Sequence, residues 1–515
     1  MAERQPGSIL ETRSDRLLPL LSLLLIALIY LLTFPQNFTE AEDAVYYVDR
    51  VAGRVPQWHP NHLLYEPLML GLTRGAQVVW PGASALVVMQ LASLAALIWT
   101  LALVWKIARV AGGGLWGAMA SVWLLAGCFA VWLYGMYPDT YTVPLPFVLA
   151  SFLALWQVGW ERGGARAATL AAFLAAIATL LHQSHVFLAV PALVLLLAAR
   201  QWRLTAIWLA VFGLVVGAVY LWVGWGLLGH RSLPALFDWA RGYAADGLWA
   251  PLSWLAPLKA LIGLGGAIWS SLFLFAIPGL PEIVDAAFPG HQLVEEIHFA
   301  ATGLMLNAGI LAGLTAISVG AVVAVALRAA FGVAPLLTYG FRPLLMLHGA
   351  TYATVTTIWE PTNKEFWIAA LPFLVLLVVL RLDPARRWVR RATVIAALSL
   401  WLANFAGAML GFAEARTDHW RVVHAGLLDE VRRGDVVIDD CGYICTGYLL
   451  FFSPAELLPV SGLGAAADTG PGRILLTSRA IVALDAEAPE GWPAMRATLS
   501  PVIEGARLSL YALPR

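Results

Sequence analysis

The sequence predicts an all-helical protein that crosses a membrane many times and carries a small soluble α/β tail. Three observations carry that prediction. Of 515 residues, 60% are hydrophobic and only 12% charged, with a mean hydropathy of +0.76; a soluble globular chain is about half apolar and about a quarter charged. Apolar runs long enough to span a bilayer core recur through residues 17–412, since a helix rises about 1.5 Å per residue. Beyond residue 413 the composition turns mixed polar, and the strand-like runs "DVVID" and "RILLTS" stand between Gly and Pro turns. The chain therefore divides into a transmembrane part, 1–412, and a small soluble domain, 413–515.

The first run, Leu17 to Phe34, is a signal anchor, because it is long and lacks a small-residue cleavage site. Arg4, Arg13 and Arg16 place the N-terminus inside by the positive-inside rule. The run 83–105 ends at Lys106 and Arg109, inside; 115–134 returns outward to "YGMYPDTY"; and 142–160 goes back to Arg162 and Arg166. This alternation requires Pro60 to Trp80 to be a juxtamembrane or re-entrant helix on the outer side. Residues 167–200, split by "HQSH" at 182–185, form a short outward and inward pair closed by Arg200 and Arg203. Residues 204–228 go out to a Trp-rich loop. The stretch 257–300 holds Pro278, Pro281, Pro289, Glu282, Asp285, Glu295 and Glu296. It is read as making no net crossing, which keeps the basic cluster "RLDPARRWVRR" inside and points the last span, 392–412, outward with the tail.

A formal net charge of zero gives no reason to expect a nucleic-acid partner. Of the three cysteines, Cys128 lies in an apolar run, where packing accounts for it. Cys441 and Cys445 are either two thiols or, in an oxidising compartment, a disulfide.

On this topology the polar residues that lipid disfavours collect on the outer side, and ionisable groups at a membrane usually face a cavity with a task. The stretch "TEAEDAVYYV" puts Glu40, Glu42 and Asp43 just before Tyr46 and Tyr47. It admits three readings: a solvated loop end, a metal ligand set, or a catalytic base. His59, His62 and Glu66 share one helical face at a spacing that suits a metal. The preferred reading has His59 capping the helix that Pro60 starts and His62 lining the cavity. Asp139 in "YPDTY" is either turn chemistry or a site residue. His182 and His185 are either interfacial histidines or phosphate contacts. Arg231, Arg241 and Lys364 add cations. Such a set suits one chemistry: a carboxylate deprotonates an acceptor while cations and imidazoles hold the phosphate of a lipid-linked donor.

The segment "EAEDAVYYVDRVAGRVPQWHPNHLLYEPL" resembles the first outer loop of the GT-C glycosyltransferases. The likeness is greatest to the branch of protein O-mannosyltransferases and aminoarabinose transferases. The family's loop carries an Asp and a Tyr, then a His-Pro segment ending in Tyr; here these fall on Asp43, Tyr46 or Tyr47, and His59-Pro60 with Tyr65. "YGMYPDTYTVPL" is similar to a second family segment and supplies Asp139, while "TNKEFWIAALPFLVLL" is similar to a third and supplies Lys364 and Glu365. The resemblance covers roughly residues 17–200 and 340–412.

It implies about eleven transmembrane helices in the GT-C arrangement, with juxtamembrane helices in the first outer loop and an extracytoplasmic C-terminal domain, in the plasma (inner) membrane. It further implies a polyprenyl-phosphate sugar donor, inverting transfer to a glycan, lipid or protein acceptor, and catalytic roles for Asp43, as base, and Asp139. Glu42, Tyr46, His59, His62, His182, His185 and Lys364 would bind substrate. No cofactor is fixed by this reading, and a divalent metal, which some relatives of the superfamily use, stays open. The chain departs from the pattern where Ala44 replaces Glu, where "HPNHLLY" lacks the second Pro, and where His182 or His185 stands in place of a Lys. A transporter or lipid flippase lined by the same charges is the rival reading. Transporters often carry inverted repeats; none is visible here, and the acids cluster outside rather than at depth.

Overall fold

The computed structural model describes residues 13–40, 43–53, 57–160, 163–245, 249–250, 253–287, 293–331, 341–466, 472–489, 491–504 and 508–513. Because lipid offers backbone groups no partner, apolar runs in a membrane close their own hydrogen bonds as helices. Among the described residues, five helices are long and apolar enough to cross: Ala85–Val110, Gly164–Leu181, Trp202–Leu227, Ala308–Phe331 and Arg387–Phe412. The pair Gly114–Gly127 and Phe129–Met136 has that length and composition only when taken together, and is bent by 70° where Cys128 takes an extended backbone, as in a broken span or a re-entrant loop. Leu17–Leu32, Leu145–Val158, Gln183–Ala198 and Ala256–Ile268 are shorter apolar helices. In 257–300 the described helices are short pieces, ending with Leu280–Ala287 and Val294–Thr302.

Small residues let these helices approach closely. Gly164–Leu181 presents Ala168, Ala171, Ala172, Ala175 and Ala176, all fully buried, toward Leu145–Trp160, and Ser151 Oγ donates to the Ala171 carbonyl across the seam at 2.8 Å. Large apolar side chains such as Leu20, Leu24, Leu214, Leu261 and Leu398 lie exposed on the outside. That is the inverse of a soluble surface and the expected dress of a lipid-facing one.

The first loop folds into helix Ala44–Ala52, the short 3₁₀ turn Pro60–His62 and helix Tyr65–Val79. Helix Ala44–Ala52 buries Ala44, Val45, Tyr47, Val48 and Val51 along one face.

The tail holds a five-stranded sheet: β1 (Val436–Ile438), β2 (Glu456–Leu458), β3 (Ile474–Thr477), β4 (Ser500–Ile503) and β5 (Leu510–Leu513), in the order β2-β1-β3-β5-β4. β1 runs parallel to β2 and β3, while β5 is antiparallel to β3 and β4. "DVVID" and "RILLTS" hold β1 and β3, two of its three inner strands. Both faces are covered, as the period of two dictates: Val437 and Leu475 pack under helix Gly442–Phe452, and Val436, Ile438, Ile474 and Leu476 pack on Leu484 and Trp492.

Among the described residues the tail is tied to the helical part at several places. Asn37 Nδ2 donates to Thr417 Oγ1 (2.9 Å) and Phe38 N–H to Asp418 Oδ2 (2.9 Å), while Trp420 Nε1 donates to Glu295 of helix Val294–Thr302. Helix Gly442–Phe452 then lies on helix Ala44–Ala52 so closely that a Cβ on Gly447 would sit 2.5 Å from the Tyr46 ring. Cys441 and Cys445 form a disulfide across the first turn of that helix.

Candidate active site

Asp43 occupies the N-cap position of helix Ala44–Ala52, where an Asp side chain usually accepts from the first free backbone N–H groups. Here it makes no such cap bond. Its carboxylate turns instead to two phenols: Tyr443 Oη donates to Oδ1 at 2.7 Å, and Tyr47 Oη lies 3.4 Å from Oδ2. The diverted carboxylate opens onto a cavity of about 1010 Å³. Its lining combines polar groups, Asp43, Asn61, His62, His182, His185 and Arg241, with apolar and aromatic ones, Val216, Leu221, Phe237, Trp249, Trp359 and Phe366.

The histidines are placed by breaks in helices. His182 ends helix Gly164–Leu181 in an extended conformation, and its Nδ1 caps the 3₁₀ turn that follows by accepting from Ser184 N–H at 3.3 Å. His185, one short turn on, bonds through Nδ1 to Tyr352 Oη at 2.7 Å. His62 stacks on His59 and meets Tyr47 edge-on, both at 5.0 Å between ring centres. Burial, reinforced by His59, His182 and Arg50, holds His62 well below the usual imidazole range, so it is a neutral hydrogen-bonding group. The cavity's guanidinium is Arg241, which pairs with Asp238 at 2.8 Å.

Of the other expected residues, Tyr47 and Glu365 line the cavity, whereas His59, Asp139, Tyr46 and Lys364 flank it. His59 does what its position before Pro60 suggests, accepting from Asn61 N–H at 3.3 Å as a helix cap. Asp139 is buried behind the wall formed by Thr140 and Tyr141, and its Oδ1 accepts from Thr140 N–H at 2.6 Å, the turn chemistry of "YPDTY". Tyr46 donates to the Tyr443 carbonyl at 2.7 Å. Lys364 is bonded to Glu40, so that acid is not a solvated loop end but half of a partly buried ion pair. Glu365 lines the cavity and accepts from Tyr141 Oη (2.9 Å) and Tyr134 Oη (3.3 Å). Glu42 lies outside the described residues.

Neither candidate metal set fits an ion. In the first loop, Glu66 is held by Arg50 (2.9 Å) and Gln57 N–H, and the His59 Nδ1 is the cap acceptor. In the tail, ligand atoms of His424, Asp439 and Cys445 lie within 4.8 Å of one another. The sulfur is in the disulfide, however, and the Arg479 guanidinium donates to both His424 Nε2 (2.7 Å) and Asp439 Oδ2 (2.6 Å), putting a cation where the metal would sit.

Sequence reasoning missed Tyr443, Tyr352 and Asn61 as cavity residues. Tyr443 is 400 positions from Asp43, and only the bracketing "CGYIC" hinted at a fixed loop.

No family model matches the sequence, and no curated protein matches it. Its structure is similar to that of ArnT, the aminoarabinose transferase, from Cupriavidus metallidurans bound to undecaprenyl phosphate, with a TM-score of 0.57 and 11% identity over 97% of this chain and 98% of that one. The same enzyme in its apo state gives a TM-score of 0.52 and 12% identity over 96% and 97% of the two chains. The chain thus has the fold of a GT-C glycosyltransferase along nearly its whole length.

Proposed function

We propose that this chain is an integral membrane glycosyltransferase that moves a sugar from a polyprenyl-phosphate donor to an extracytoplasmic acceptor, with Asp43 as the general base. The observation that carries the proposal is the diverted N-cap: a carboxylate released from capping its own helix opens onto a mainly apolar cavity that also holds a cluster of polar side chains. The fold shared with an enzyme whose structure holds undecaprenyl phosphate supports the choice of donor. The aromatic and aliphatic lining suits a prenyl chain; the polar side chains suit a phosphate and a sugar.

In the displacement, an acceptor O–H or N–H gives its proton to Asp43 as the acceptor atom attacks the anomeric carbon. The bond from that carbon to the phosphate oxygen breaks on the opposite face, inverting the centre, and the electron pair leaves with the polyprenyl phosphate. His62, His182, His185 and Arg241 are the groups that would hold the phosphate as its charge grows. Positioned general-base catalysis contributes roughly 10²–10⁴-fold. Asp139 and Lys364 serve by holding the walls, through the 137–142 turn and the Glu40 pair.

The remaining parts of the reading are about eleven crossings with the shorter apolar helices included, a cytoplasmic N-terminus in the inner membrane, and an extracytoplasmic domain at 413–515. The Cys441–Cys445 disulfide supports an oxidising compartment for that domain.

The test uses a photoreactive polyprenyl-phosphate sugar with purified protein in lipid nanodiscs. Label should fall on the cavity segments 216–249 and 352–369 and be displaced by polyprenyl phosphate. Label confined to the outer lipid-facing leucines, or displacement by any phospholipid, would overturn the donor assignment.

A further inference from the structure

We infer that Tyr443, contributed by the C-terminal tail, is the positioning residue for the Asp43 carboxylate, so that the active site is complete only when the tail is docked. The inference rests on the reading of Asp43 as base and adds the group that aims it.

Tyr443 is 57% exposed, so burial of its ring does not explain it. Three of its contacts, two polar and one stacking, point to one place. The hydroxyl donates to Asp43 Oδ1 at 2.7 Å, the carbonyl accepts from Tyr46 Oη at 2.7 Å, and the ring stacks on Tyr46 at 4.5 Å. Asp43, Tyr46 and Tyr443 therefore form a closed loop between one turn of the first outer helix and one turn of the tail.

The tail fixes its side of that loop. β1 ends at Asp439, whose buried carboxylate accepts from Thr477 Oγ1 (2.6 Å) and Arg479 Nη2 (2.6 Å) at the carboxyl end of the sheet. Two residues later the chain enters the disulfide, and Gly442, at a φ of 77° closed to most side chains, turns Tyr443 outward toward the cavity. Gly447 then lets the helix lie directly on the Tyr46 ring.

Chemically, a phenol donating to one oxygen fixes how the carboxylate is aimed: it engages Oδ1 at 2.7 Å and turns Oδ2, whose contact with Tyr47 Oη is longer at 3.4 Å, to receive the acceptor's proton. This acts on the chemical step rather than on binding of the lipid donor.

Tyr443→Phe keeps the ring stack and the carbonyl contact while deleting the donor. The expected result is kcat lowered roughly ten-fold with an unchanged KM for the polyprenyl-phosphate sugar. Tyr46→Phe, which loosens Tyr443 without removing its hydroxyl, should show a smaller loss of kcat, again with KM unchanged. Wild-type kcat in Tyr443→Phe would overturn the inference, as would a fall in kcat matched by a rise in KM, the mark of a merely structural role. Asp43→Asn is run beside them: if it is inactive while Tyr443→Phe is normal, only the role of Tyr443 fails; if Asp43→Asn turns over normally, the base assignment itself fails.

Discussion

Two aspartates of this chain, Asp43 and Asp439, each stand shortly before a helix, yet they are held in opposite ways. Asp439 is closed: its side chain is 1% exposed and its oxygens accept from a guanidinium and a threonine hydroxyl. Asp43 is open: its oxygens face two phenols and a cavity, and its own helix goes uncapped. A buried carboxylate saturated by a cation is a fastener, since its proton affinity and geometry are locked together. A carboxylate held by neutral donors beside a space large enough for a substrate can take a proton and release it. The difference separates two tests that would otherwise look alike, loss of fold and loss of chemistry.

The largest stability effect should come from the closed site. Arg479→Ala strands Asp439 in the interior and should cost roughly 3–5 kcal/mol, the usual penalty for breaking a buried pair. Thermal unfolding followed at the tail should show the drop; unchanged unfolding would mean the cluster is not a fastener.

Acid should loosen the same cluster by a smaller amount. Burial, followed by the neighbouring Arg479 charge, pushes His424 down from 6.5 to about 4, so the folded tail favours the neutral imidazole. The sign follows from linkage: its contribution is complete above pH 6.5 and is lost as pH falls from there through about 4. Tail unfolding measured against pH should therefore steepen over that window in the wild type and not in His424→Gln. An identical profile in both would contradict the assignment.

The seam between the two sites should respond least. Gly447→Ala introduces a methyl 2.5 Å from the Tyr46 ring, which must move, at a cost of about 1 kcal/mol. Turnover should fall more than stability does, because Tyr46 carries Tyr443. Equal losses, or none, would detach the seam from the site.

Much of this organisation is legible in the sequence where one physical rule acts alone. The run 83–105 is helical from Ala85 on, as part of helix Ala85–Val110, because apolar length decides it, and "DVVID" and "RILLTS" contain strands because short apolar runs stand between turns. His59 caps because Pro60 follows it. Where long-range packing decides, the sequence is silent. The 70° bend at Cys128 sits in an unbroken apolar run, and the Glu40–Lys364 pair joins positions 324 apart. At the site, Asp43, His62, His182 and His185 share one cavity, whereas Asp139 lies behind its wall because the turn that makes it conspicuous also consumes its oxygen. Tyr443 had no local mark, since its partner lies in another part of the chain.

The most direct measurement is single-turnover transfer from a polyprenyl-phosphate sugar by Asp43→Asn, in protein shown to fold and to bind polyprenyl phosphate as the wild type does. The open-carboxylate reading predicts a rate reduced roughly 10²–10⁴-fold with donor binding intact. Transfer at the wild-type rate would contradict it.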